Sequence, residues 1–190
     1  MKSVINKSSK NLRFFSVGLF SKSYRGQIWV ETMVYTLIAF ALMGLVLAFV
    51  KPKIQEAQDK GIIEQSIRIL ENMDFVIRTL GGPGNQRVLE VGLNKGTLFI
   101  DGGSNTIYFK IESKYVYSQP GEYVTVGSII ANTAKKGNIN EVTLTQDYSG
   151  EYDIKLQNLD TLKTLTKAST PYKIIISDNG GSVINIDVTN

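Results

Sequence analysis

Nineteen consecutive uncharged residues, Thr32 to Val50, constrain this chain more than any other feature of its sequence. A helix rises ~1.5 Å per residue, so ~20 apolar residues match the ~30 Å hydrocarbon core of a bilayer. From Ile28 to Val50 only Glu31 breaks the apolar character, as expected of a helix surrounded by lipid or by other apolar helices. Glu31 lies one turn inside the start. An ionisable side chain in lipid is costly and marks a functional position by default. It also has a plainer reading, as a carboxylate at the membrane edge favoured by the positive end of the helix dipole.

The residues ahead of the span are basic. Met1 to Gly26 hold Lys2, Lys7, Lys10, Arg13, Lys22 and Arg25, with no Asp or Glu. An excess of Lys and Arg keeps its side of a span in the cytoplasm, and these six outweigh Lys51 and Lys53 beyond it. The N-terminus is therefore expected inside and the bulk of the chain outside. Without this segment 15 of the 21 basic residues remain against 17 acidic ones, and the net charge falls from +4 to about −2. Basic charge confined to such a segment argues against a nucleic-acid partner, which needs the charge on a folded face.

The run Arg25-Gly26-Gln27-Ile28-Trp29-Val30-Glu31, leading into the apolar stretch, resembles the class III signal peptide of type IV pilin-like proteins. The match is to the archaeal variant, in which Gln is the first mature residue; Trp29 stands where such motifs often carry a small residue. A Sec-type signal places its apolar region before the cleavage site and loses it. Here the site precedes the apolar run, which would be kept. The resemblance implies that a prepilin peptidase cuts after Gly26, making Gln27 the first residue and Glu31 the fifth. It also implies that Glu31 meets the N-terminus of a neighbouring subunit and sets register as a filament grows. A new α-amino group at Gln27 would be largely cationic at neutral pH. Opposite charges attract strongly in a low-dielectric bundle where either alone would be costly.

Past Val50 the helical pattern continues in a different character. Lys51-Pro52-Lys53 marks the edge of the span, and Pro52 removes a helical hydrogen bond, so a kink is expected there. Ile63, Ile67, Leu70, Met73, Ile77 and Leu80 then recur at three- and four-residue steps, with Ile62, Ile69 and Val76 alongside. Glu56, Asp59, Lys60, Glu64, Arg68, Glu71, Asp74 and Arg78 fill the other side. Gly61 is the weak point of this half, at ~1 kcal/mol relative to Ala. The stripe reads as the core face of a helix packed on a sheet, and pilin-like proteins are built in the same way.

Gly81-Gly82-Pro83-Gly84-Asn85 ends the helix, and the pattern turns to β. Candidate strands are Arg87–Val91, Thr97–Asp101, Thr106–Glu112, Tyr115–Ser118, Glu122–Ile129, Glu141–Gln146, Tyr152–Leu156, Tyr172–Ser177 and Val183–Val188. Turn residues separate many of them, as at Asp101-Gly102-Gly103-Ser104-Asn105 and Asp178-Asn179-Gly180-Gly181. Leu156, Leu159, Leu162 and Leu165 recur every third residue, which fits a short helix or an irregular edge equally well. The expected fold is α+β: a long N-terminal helix, transmembrane in one half and amphipathic in the other, packed on an antiparallel β-sandwich-like head. Its divisions are a leader over 1–26, a helix over 27–80 (28–50 in the membrane or filament core, 51–80 amphipathic) and a head over 81–190.

Catalytic chemistry is sparse. The chain has no histidine and no cysteine, which removes the commonest general base, thiolate nucleophiles, Cys-based zinc sites and disulfides. It has no phosphate loop of the G-x-x-x-x-G-K-[ST] type, no G-x-S-x-G elbow and no EF-hand loop. Asp101-Gly102-Gly103 and Asp178-Asn179-Gly180 offer oxygens that calcium could use, but such runs are far more often simple turns. Tyr108, Tyr115, Tyr117, Tyr123, Tyr148 and Tyr152 read first as strand residues and second as an adhesive surface. The N-x-[ST] match is Asn6-Lys7-Ser8, inside the leader.

The expectation is a non-enzymatic structural subunit without cofactor or metal. Its partners would be a prepilin peptidase, copies of itself or other pilins, the pilus assembly machinery and the membrane, but no nucleic acid. It would span the membrane once, head outside, and then join an extracellular filament. The alternative is a singly spanning surface binding protein, or a pseudopilin that forms no long filament.

Overall fold

The computed structural model describes residues 24–189. All but the last three residues of the expected leader lie outside them, as does the Asn6-Lys7-Ser8 sequon. The fold is α+β. The helix α1 (Tyr24–Arg78) is followed by strands β1 (Gln86–Val91), β2 (Thr97–Asp101), β3 (Thr106–Ser113), β4 (Tyr123–Val126) and β5 (Ile129–Lys136). Then come β6 (Ile139–Asp147), β7 (Asp153–Leu156), β8 (Leu162–Leu165), β9 (Tyr172–Gly180) and β10 (Val183–Thr189). The chain divides into two units between Leu47 and Ala48, each described by itself.

The described part of the first unit is helix throughout. Apolar residues fill most of it, and its Leu, Ala and Met residues lose little conformational freedom in a helix. Its hydroxyls add to the backbone ladder: Thr32 Oγ1 donates to the Ile28 carbonyl at 2.9 Å, and Thr36 Oγ1 to the Thr32 carbonyl at 2.7 Å.

In the second unit α1 continues through Pro52, which is flanked by helical residues on both sides. From Ile63 the expected stripe is buried: Ile63, Ile67, Leu70, Met73, Val76, Ile77 and Leu80 all lie in the core. Ile62 and Ile69 are partly buried beside them, whereas Phe75 on the opposite side is exposed. The helix stops at Arg78, and side chains from the next segment satisfy the carbonyls just beyond it. Asn85 Nδ2 donates to the Leu80 carbonyl at 3.0 Å and Arg87 Nη2 to the Thr79 carbonyl at 3.2 Å.

The strands form two sheets, ordered β1-β9-β10-β7 and β4-β5-β6-β3-β2-β8. Every named pair is antiparallel except β10 with β7, which run parallel with Ile184 opposite Ile154. Alternation decides which face is buried. On β6, Val142 and Leu144 point into the core, while Glu141, Thr143 and Thr145 are only half-buried. Inward residues of both sheets join the helical stripe in a single hydrophobic cluster that includes Ile100, Phe109, Leu144, Ile176 and Ile186.

Three strand expectations need correction. Tyr115–Ser118 is not a strand, because local side chains take its backbone groups. Ser113 Oγ accepts the Tyr115 N–H at 2.9 Å, and Thr133 Oγ1 accepts the Ser118 N–H at 3.0 Å. The span Glu122–Ile129 is broken by a hairpin turn at Gly127-Ser128, where Gly127 adopts φ 60°. Beyond that turn β5 was absent from the sequence reading. Its inward positions are Ile129, Ala131 and Thr133, and its outward ones Ile130, Asn132 and Ala134, so hydropathy hardly alternates. The leucine-rich stretch ends as the short edge strand β8, paired with β2.

Candidate functional site

The described part of helix α1 starts at Tyr24, and the Gly26–Gln27 bond lies within it. A peptidase must take a bond in extended form. A glycine weakens a helix where it stands, which eases local opening.

From Ile28 to Val50 every residue of the helix is exposed, including Leu37 and Phe49 at 70 % of their full surface. An 18-residue window has a mean hydropathy of 2.5 and none of it is buried. The helix is thus long and apolar enough to cross a membrane. So large an apolar surface on a helix is expected only where lipid or other protein covers it.

Glu31 sits within this surface and has one hydrogen-bond partner, the hydroxyl of Tyr35, which donates to Oε1 at 3.1 Å. The two residues are four apart, so they stack one above the other on the same helical face. Glu31 Oε2 makes no hydrogen bond to the described residues. The carboxylate can therefore accept a second donor from outside the chain while keeping its internal one. Sequence reading singled out Glu31 but not Tyr35, although the i,i+4 spacing of an acid and a phenol was the available signal.

In the second unit one buried carboxylate, Asp59, and one half-buried one, Asp74, tie α1 to the head, and sequence reading named neither as a site. Asp59, 7 % exposed, accepts the Lys95 ammonium at 2.5 Å on Oδ1 and the Lys114 backbone N–H at 2.7 Å on Oδ2. Asp74 accepts Arg78 Nε at 2.9 Å, Ser128 Oγ at 3.2 Å and Gln146 Nε2 at 3.4 Å. Tyr148 is buried beside this group. Burial first, and then the charge of Asp74, hold its phenol well above the ordinary tyrosine range. Asp74 is close enough for its field to act, but no hydrogen bond of acceptable geometry reaches Tyr148 Oη among the described residues. These groups fasten helix to sheet and loop.

The turns considered for calcium use their carboxylates internally. Asp101 Oδ1 accepts the N–H of Gly103 at 2.9 Å, and Asp178 Oδ1 that of Gly180 at 2.7 Å. Among the described residues no group of three or more acidic side chains is placed to hold a metal ion. The tyrosines share no common surface: Tyr148 is buried, Tyr123 is 76 % exposed, and Tyr115, Tyr117 and Tyr152 are packed partly against the core.

No protein-family model matches the chain, nor does any curated protein or solved structure.

Proposed function

We propose that this chain is a structural subunit of a type IV pilus-like surface filament of the archaeal kind. A prepilin peptidase on the cytoplasmic face removes the basic leader after Gly26. The helix then waits in the membrane with the head outside, until the pilus assembly machinery draws it into a bundle of like helices. Leaving lipid for such a bundle exchanges one apolar surrounding for another, so the helix loses little burial. Glu31 pairs with the α-amine of Gln27 on an adjacent copy, and that pairing sets the stagger between subunits.

The observation that carries this reading is the lone carboxylate in an otherwise apolar, wholly exposed helical surface, behind Gly26-Gln27 and a basic leader. An ordinary anchor has no need of the acid, and a soluble domain has no need of the surface. Electron microscopy of material sheared from cells tests the proposal. Filaments containing this chain are expected, and the Glu31→Ala variant should insert in the membrane yet yield few or none. Normal filaments from that variant would remove the register role.

The second reading is a singly spanning surface protein, or a pseudopilin, that forms no long filament. The Tyr35–Glu31 bond favours it, since the acid already has a donor within one chain. Cells that process the chain but shed no filaments would select it.

A further inference from the structure

Between Glu31 and Val50 three side chains carry hydroxyls: Thr32, Tyr35 and Thr36. Both threonines donate to the backbone carbonyl four residues back, so their protons are committed within the helix. Tyr35 reaches past the backbone to the acid, and its phenol donates to Glu31 Oε1. No other charged side chain lies within the stretch from Thr32 to Val50 that could serve the carboxylate.

We propose that Tyr35 is the positioning residue for Glu31: it holds the carboxylate in one rotamer while the helix is in lipid and leaves the second oxygen open. In water such a bond would add little, because solvent donors compete with it. In hydrocarbon no solvent donor competes, so among the described side chains the phenol is the one that satisfies Glu31. Because the phenol takes one oxygen only, an incoming ammonium finds a carboxylate already oriented and still able to accept. Tyr35 is thus not displaced on assembly, and both donors are held in the finished contact. This last step rests on the filament reading; the hold on Glu31 in the membrane does not.

The two parts are tested separately on the full chain. In lipid nanodiscs, the infrared difference between wild type and Glu31→Gln isolates the Glu31 carboxyl band. Tyr35→Phe should shift that band, because it loses a hydrogen-bond donor. An unshifted band would overturn the proposal whether or not filaments exist. In cells, Tyr35→Phe should cut filament yield several-fold while leader removal stays at the wild-type level. The loss should not add to that of Glu31→Gln in the double variant, since Tyr35 acts through the acid. An unchanged filament yield, or a fully additive loss, would overturn the role in assembly. A shifted band in a chain that forms no filaments keeps the hold on Glu31 and discards the filament reading instead.

Discussion

The ammonium of Lys95, in the loop after β1, lies 2.5 Å from the carboxylate of Asp59 on α1. The contact is unequal, because Asp59 is buried while the Lys95 side chain is 39 % exposed. Asp59 also accepts the Lys114 backbone N–H, which has no other acceptor described. Lys95→Ala should therefore cost under about 1 kcal/mol, as exposed ion-pair partners do. Asp59→Ala should cost about 2 kcal/mol, since it strands a backbone donor. Denaturant unfolding of the full chain in nanodiscs, followed through the β signal, would show this asymmetry.

The helical stripe makes a sharper contrast. Leu70 is fully buried and Phe75, little more than one turn later, is 61 % exposed. Leu70→Ala should destabilise the head by about 2–5 kcal/mol, while Phe75→Ala should stay within about 0.5 kcal/mol. Equal losses at the two positions, read by the same unfolding measurement, would mean that the helix packs on a different face.

Much of this was legible in the sequence where one physical signal dominated. The stripe from Ile63 to Leu80 could be read because helical periodicity and burial coincide, and Thr97–Asp101 because a short apolar run and flanking glycines agree. β5 was not, since Ala131 and Thr133 face inward while Ile130 faces outward, inverting the usual contrast. Tyr115–Ser118 has strand composition, but hydroxyls of Ser113 and Thr133 hold its backbone instead of a neighbouring strand. Glu31 stood out as a charge among apolar residues. Asp59 and Asp74 did not, because an acid on an amphipathic helix normally faces water, and only the fold reveals that these two are turned inward.

Tyr148 gives a pH dependence of definite sign. Its phenol loses a proton less readily in the folded chain than in the unfolded one. Its contribution to stability is complete below the unfolded value, about 10, and declines as pH rises toward the folded value. The decline should approach about 1.4 kcal/mol per pH unit for this residue. Tyr148→Phe should remove that part of the alkaline loss. At neutral pH it should change stability little, because the hydroxyl has no hydrogen-bond partner to lose. Unfolding midpoints of both proteins between neutral pH and pH ~11 provide the check.

Gly96 lies between β1 and β2 with φ +85°, and a Cβ there would fall 2.9 Å from the Lys110 carbonyl oxygen. Gly121 has a similar φ of +89° with nothing within 4 Å. Gly96→Ala combines backbone strain with a clash and should cost about 2–3 kcal/mol, whereas Gly121→Ala carries strain alone and should cost about 1 kcal/mol. Thermal unfolding of the two variants side by side tests the difference, and a Gly96 variant no worse than the Gly121 one would argue against the close approach of the β1–β2 loop to β3.

The proposed filament role requires that the basic N-terminal segment be cut away before the chain assembles. Mass spectrometry of the mature protein, isolated from cells that carry a prepilin peptidase, addresses this directly. A filament subunit requires Gln27, free or cyclised, at the N-terminus, with a bulky residue at Gly26 blocking its appearance. A chain that still begins at Met1 in those cells would contradict it.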